Sequence, residues 1–473
     1  MKERVQSLHT FMFPFVFKKF QKDNRWRYKK FKIENQRDYN EYVYFYKHVR
    51  DALFNIEDED KEFISKYYEY EKESGKFIID CQKGKYELEI DSISLRVFNT
   101  DVAIISFNLK NYRYKDPKDV LAINDFGRRT YPQFLGNEFT KETKRSFLAN
   151  KITIELEDEV AIEEDFSKFD RLENLDIKNL NLIPKHIDHF LDGCFDEDIQ
   201  PIIDDRMYVI SLYLSSKMSN RLKGVIDEKY IYETDDWWYK YVFIDGESKT
   251  CKSKYMSKEF IGESTYDRWV EDGTLFGISR YSFTAVSSGW FGENILLAHM
   301  QTMYFQIFTL LLAYRASIIK FSNDIQDITK DKINIAEETR NLYNRYLKFL
   351  NKLYFKEVTA QDQGIELYDK ALKIMKIEQH LAGLDNELNE LHSYVEMLED
   401  KEESKSINNL TKLGTIFLPA SLIASIFGMN TFPDGFLENF DWLIISLVFM
   451  IVATILTSKF IFKREKKERN EQV

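Results

Sequence analysis

The chain has 473 residues and a formal net charge of −11. That length exceeds one ordinary domain, and the acidic balance argues against a nucleic-acid polymer as partner, because binding one needs a basic surface that releases counterions. Cys81, Cys194 and Cys251 are far apart and lack metal-ligand spacing, so they read as reduced thiols, and the seven histidines form no HExxH arrangement that would suggest a zinc enzyme.

In chain order, the apolar run Phe11–Phe17 is too short for a secretory signal and is interrupted by Pro14, so it is expected to be a first buried strand or turn. Tyr86–Phe98 and Val102–Leu109 are rich in β-branched and aromatic residues around Asn99-Thr100-Asp101, which predicts a hairpin. Asp116–Arg129 predicts a helix, and the acidic stretch Glu155–Asp170 a solvated face or loop. Met207–Leu214, Trp237–Ile244 and the residues around Gly277 read as strands, with turns at Asp245-Gly246 and Asp272-Gly273. An α+β domain is therefore expected over residues 1–288, with no repeat and no flexible linker after it.

Beyond Gly289 the pattern is helical. Met303–Tyr314 is apolar but only about a dozen residues long and is followed by Arg315, which favours a core helix over a membrane span. From Asp331 to Asn430 Pro419 is the single proline, and a helix of that length needs a partner along its course. Residues 289–409 are accordingly read as a helical stalk. Ile377, Leu381, Leu384, Leu388, Leu391, Val395 and Leu398 repeat in 4-3 spacing and form a seam. The opposite face carries Gly383, Asn386, Glu390, Ser393, Met397, Asp400 and Ser404, and continues as Ile407, Thr411, Gly414, Leu418, Ser421 and Ser425. Small and hydroxyl residues aligned this way suit a pore lining, or a close helix–helix contact.

Leu410–Phe427 and Trp442–Phe462 are each near the length needed to cross a bilayer, within segments 410–430 and 442–462. The loop 431–441 between them has no Lys or Arg but holds Asp434, Glu438 and Asp441, whereas the tail 463–473 is rich in basic residues. The positive-inside rule places both termini in the cytoplasm and the acidic loop outside, in a plasma (inner) membrane protein crossing twice. Two helices cannot enclose a water-filled path, so a channel of this kind must be a ring of identical subunits in lipid. Glu390, Asp400 and the loop carboxylates would attract cations.

The first span ends in Gly428-Met429-Asn430, and the string from Ile416 to Asn430 closely resembles the CorA family of divalent-cation transporters. Glu357–Ile365 also resembles the stalk-helix region of bacterial members. The resemblance covers about the last 150 residues. It implies a homopentamer with a long stalk helix continuous with the pore helix, an outer ring of second spans, and an asparagine ring at the outer mouth. Gly428, Met429 and Asn430 would then form the selectivity element. Asn430 would serve as the metal-facing residue, offering amide carbonyl oxygens to hydrated Mg²⁺, which sheds water reluctantly. Ile407 and Leu418 match positions of apolar constrictions, and Leu410 is a further candidate. Ser421 stands where the family commonly has threonine, and Ser404 where it commonly has asparagine.

The leading expectation is transport of Mg²⁺, Co²⁺ or Ni²⁺ gated by the cytoplasmic domain, with no enzyme activity and no resident cofactor. The alternative is a CRISPR-associated CorA-like effector in antiviral defence, activated by a nucleotide second messenger. Arg128, Arg129 and Arg280 lie beside aromatic residues and could pair phosphates while a base stacks.

Overall fold

The computed structural model describes residues 4–59, 61, 63–72, 74–129, 148–157, 159–166, 183–195, 199–330, 334–428, 444–445 and 447–459. They form two compact units, Met1–Leu388 and Asn389–Val473.

The first unit is built on one sheet. Its strands are β1 (Ser7–Val16), β2 (Trp26–Tyr28), β3 (Ser65–Tyr70), β4 (Gly75–Cys81), β5 (Gly84–Phe98), β6 (Val102–Asn111), β7 (Lys151–Leu156), β8 (Glu159–Asp165), β9 (Gln200–Pro201) and β10 (Tyr208–Leu214). β11 (Val225–Ile226) and β12 (Lys229–Tyr230) form a separate ribbon, and β13 (Thr265–Tyr266), β14 (Leu275–Ile278) and β15 (Ser282–Ser287) complete the sheet. Among the described residues the order is β13-β14-β15-β10-β1-β6-β5-β4-β7-β8, antiparallel except for the parallel β10–β15 pair.

The Phe11–Phe17 run is the central strand β1, in register with β6 from Ser7↔Asn111 to Val16↔Val102. Its alternation sends Phe11, Phe13 and Phe15 into one apolar cluster with Ile123 and Phe126 of α3 (Pro117–Arg128), so a strand central to the sheet is greasy by necessity. The expected hairpin is β5–β6, turned at Asp101 with φ 62. The expected helix over 116–129 is α3, capped by the Asp116 side chain accepting from the Lys118 N–H.

One local expectation fails. Trp237–Ile244 is not a strand but α6 (Asp236–Phe243), following α1 (Gln36–Tyr44), α2 (Lys47–Leu53), α4 (Lys185–Leu191) and α5 (Ser216–Leu222). The Asp235 carboxylate accepts from the Trp237 and Trp238 N–H groups, which starts a helix, and the aromatic run then fills a second apolar cluster. In the Glu155–Asp170 stretch the described residues form a largely solvated face rather than a loop, with Glu157, Glu159 and Glu163 exposed on and between β7 and β8; residues 158 and 167–170 lie outside the described residues. Glu164 is buried there, its carboxylate paired with His186 and accepting from the Lys185 and His186 N–H groups.

After α7 (Lys254–Ser264) and β15, a π-turn at Phe291–Leu296 leads to α8 (Leu297–Gln301) and α9 (Met303–Lys330). Met303–Tyr314 is buried throughout, as a core helix should be. The Phe308 ring stacks on Phe283 of β15, 4.1 Å between centroids, which seats α9 on the sheet. Among the described residues the helix Phe291–Lys330 has the length and composition to cross a membrane, but 72% of its most apolar window is buried inside the protein.

The reading of Asp331–Asn430 as one helix is corrected. Among the described residues three helices occupy it: α10 (Ile335–Lys352), α11 (Asp362–Met375) and α12 (Ile377–Gly428). The break after α10 is held by the chain pairing elsewhere: Tyr46 N–H donates to the Val358 carbonyl at 3.0 Å, and Phe45 bridges Thr359. Residues 357–361 of the stalk-like stretch Glu357–Ile365 are therefore not helical, and α11 begins only at Asp362. Gly364 is required for this approach, since a Cβ there would meet the Tyr44 Oη at 2.2 Å. Lys376, with φ 55, separates α11 from α12.

Candidate ion-conducting helix

α12 is 52 residues long and passes uninterrupted through Pro419. Its seam residues Ile377, Leu381, Leu384, Leu388, Leu391 and Val395 are buried, and Leu398 is half-buried. Within the first unit, polar contacts fasten the helix start. Ser322 Oγ of α9 donates to Glu387 Oε2 at 2.8 Å, and the Tyr346 hydroxyl of α10 donates to the Asp385 carboxylate. A heptad seam facing a protein surface leaves the other face free, and that outcome follows from the 3.5-residue spacing.

Gly383, Asn386, Glu390, Ser393, Met397, Asp400 and Ser404 are all exposed. Ile407, Leu410, Thr411, Gly414, Leu418, Ser421 and Ser425 are exposed as well, Leu410 at 71% and Leu418 at 66%. These residues lie on a single continuous helix, and between Ile407 and Ser425 the described residues of its other face are exposed or half-buried as well. No atom lies within 4 Å of where a Cβ would sit on Gly383 or Gly414.

Thr411 and Thr415 donate back to the carbonyls of Ile407 and Thr411, each at 2.8 Å. Such back-bonding satisfies hydroxyls without water. Pro419 has no N–H for the Thr415 carbonyl four residues earlier, which leaves an acceptor inside the apolar stretch. Thr415 was not among the expected site residues, although the spacing Thr-x-x-x-Pro could have flagged it.

Gly428 is the last residue of α12. Met429, Asn430, Asp434, Glu438 and Asp441 lie outside the described residues. The expected second span, Trp442–Phe462, is described at 444–445 and at the apolar helix Leu447–Lys459. Among the described residues no group of three or more His, Cys, Asp or Glu side chains is placed to hold a metal ion.

Residues 291–464 match the family model described as CorA-like Mg2+ transporter protein. The C-terminal part of this chain is thus similar to the CorA-like family. The CorA-like match opens at the π-turn Phe291 and takes in α9, α10, α11 and α12. The similarity points to a membrane protein and to divalent-cation transport. No curated protein matches the chain.

The three arginines singled out for a phosphate ligand occupy different surroundings. Arg129 pairs with Asp125 at 2.7 Å and lines a cavity of about 850 Å³ with Tyr86, Phe126, Lys118 and Lys240. Arg280 is exposed and borders a groove beside Ile318, Lys376 and Gly383. Arg128 is buried at 3% exposure, and burial, then the neighbouring Arg206 charge, pulls its pKa down to about 10. Its guanidinium lies 5.9 Å from the Tyr281 ring centre, with Arg206 at 5.3 Å from the same ring. Arg206 and Arg315 were not expected in this neighbourhood, because nothing local in the sequence joins positions 128, 206, 281 and 315.

Proposed function

We propose that the chain is one subunit of a membrane ring that passes hydrated divalent cations along the exposed stripe of α12. Mg²⁺ is the first substrate, with Co²⁺ and Ni²⁺ as further ones. The observation that supports the reading is the division of this helix from Ile377 to Val395, a buried apolar seam on one side and an acidic and polar stripe on the other, with the stripe continuing as small and hydroxyl residues between Ile407 and Ser425. A face of that composition has no use against lipid, whereas a ring of copies would enclose it. The resemblance implies five copies. Glu390 and Asp400 would draw cations, and Ile407, Leu410 and Leu418 would narrow the path. Gly428, Met429 and Asn430 would form the outer mouth, with Asn430 reading the hydrated ion and Asp434, Glu438 and Asp441 concentrating cations outside. Both termini would be cytoplasmic, under the basic tail. The test is Mg²⁺ flux into liposomes containing the purified protein: Asn430→Ala should abolish it, and unaltered flux would overturn the assignment.

A second reading, gating by a nucleotide, draws on the cavity lined by Arg129. Tyr86 and Phe126 offer apolar ring surfaces, and Lys118 and Lys240 stand at its rim. Calorimetry with adenine nucleotides, followed by flux with and without the bound nucleotide, tests it; absence of binding removes this reading and leaves the first intact.

A further inference from the structure

Arg128, at the end of α3, is buried, yet only one of its nitrogens has a partner: Nη2 donates to the Ile244 carbonyl at 3.1 Å, while Nε and Nη1 have none. A buried cation with two idle donors is costly, because its water has been removed and nothing replaces it. The Tyr208 hydroxyl is likewise buried without a partner, within reach of the Arg315 charge. Arg315 of α9 donates Nη1 to the Arg280 carbonyl at 2.9 Å, and among the described residues this is its hydrogen bond. Burial lowers the Arg315 pKa, and Tyr281 and Tyr208 are among the groups that act on it. Arg206 forks onto Asp204, Nε and Nη2 both donating to its carboxylate with Nη2 at 2.8 Å from Oδ2, and Asp205 adds negative charge, which leaves the face of Arg206 over Tyr281. Backbone bonds hold these pieces together: Met207 N–H to the Arg128 carbonyl at 2.9 Å, and Val209 N–H to the Tyr281 carbonyl at 3.0 Å.

We propose that Arg128, Arg206 and Arg315, grouped around Tyr281 with the Tyr208 hydroxyl, form a binding site for a small tetrahedral oxyanion of the phosphate class. Two of the three guanidiniums have only carbonyls as hydrogen-bond partners among the described residues, and Asp204 and Asp125 offset part of the charge, while two donors of the buried Arg128 stay idle. The donors come from three separate elements, α3, the entry to β10, and α9. A planar carboxylate meets one or two such forks, whereas a tetrahedral oxyanion presents lone pairs in every direction. One of the three, Arg315, belongs to the CorA-like segment, and the other two to the sheet domain. An anion seated there would tie the two together. The site is separate from the cavity lined by Arg129 and independent of the conduction reading.

The experiment uses the full chain in lipid nanodiscs, with inorganic phosphate and pyrophosphate as probes and chloride at matched ionic strength as the control. Thermal melting and calorimetry are the readouts. Either probe should raise the melting temperature saturably. Arg315→Gln should weaken its binding at least about tenfold, as expected for loss of one charge-assisted contact. Arg206→Gln should do the same, Arg315→Lys should recover part of the affinity, and Lys254→Gln, on the exposed start of α7, should bind as wild type. No saturable shift, or equal affinity in wild type, Arg315→Gln and Arg206→Gln, overturns the proposal. Should Arg315→Gln fail to fold, Arg206→Gln alone decides.

Discussion

Arg96 of β5 donates Nη2 to the Gln306 amide oxygen of α9 at 2.9 Å, a buried contact between the sheet domain and the first long helix of the CorA-like segment. Gln306 Nε2 in turn donates to Glu41 of α1 at 3.0 Å, so an amide relays one buried charge to another. Replacing Arg96 by Met strands Glu41 and Gln306. We expect it to lower unfolding free energy by about 3–5 kcal/mol, measured by chemical denaturation. The burial that raises the Glu41 pKa means the folded chain holds this proton more tightly than the unfolded chain. This group's penalty is absent below its ordinary value and grows as pH rises through the folded one. Glu41→Gln should remove that decline.

His9 behaves in the opposite sense. Its ring lies between Ser7 Oγ at 2.8 Å and Asn124 Oδ1 at 2.6 Å, fully buried, and burial lowers its pKa from 6.5 to about 4. Unfolded chains take up a proton that the folded chain refuses between those values. Stability is therefore whole above pH 6.5 and falls toward pH 4, by about 3 kcal/mol if the shift is fully realised. Denaturation midpoints across this range should show the slope in wild type and a flatter profile in His9→Gln.

The two faces of α12 should separate in mutagenesis. Leu384→Ala opens the seam where the side chain is 2% exposed and should cost about 2–5 kcal/mol. Glu390→Gln, on the exposed stripe, should change stability by no more than about 0.5 kcal/mol while reducing Mg²⁺ flux at low ionic strength. Equal effects on folding from both substitutions would contradict the division of the helix.

Gly414 gives a sharper test of the enclosed stripe. A side chain there meets nothing in a single chain, so Gly414→Leu should fold normally and gain roughly 0.5–1 kcal/mol from better helix propensity. In a ring, the added leucine meets its own copies, and liposome flux should fall to background. Normal flux in this variant places the face elsewhere.

Much of this was legible from residue order because the signals are periodic and local. β1, the β5–β6 hairpin, α3 and the α12 seam each carry a spacing of two or of 3.5 that only one geometry satisfies. Trp237–Ile244 misled because an aromatic run without clear period suits either a strand or a buried helix, and the Asp235 cap decided between them. The break between α10 and α11 escaped notice because its cause, the pairing of Val358 and Thr359 with Tyr46 and Phe45, is three hundred residues away in the chain.

The order of residues alone determined that a heptad seam runs opposite a polar stripe into an apolar segment ending at Gly428-Met429-Asn430, since side-chain spacing sets which face is which. Only the tertiary structure decided that Arg128, Arg206 and Arg315 meet around Tyr281, and that Arg96, Gln306 and Glu41 form one relay. Those contacts join elements far apart along the chain, and no local spacing encodes which distant side chains a sheet and its covering helices bring together.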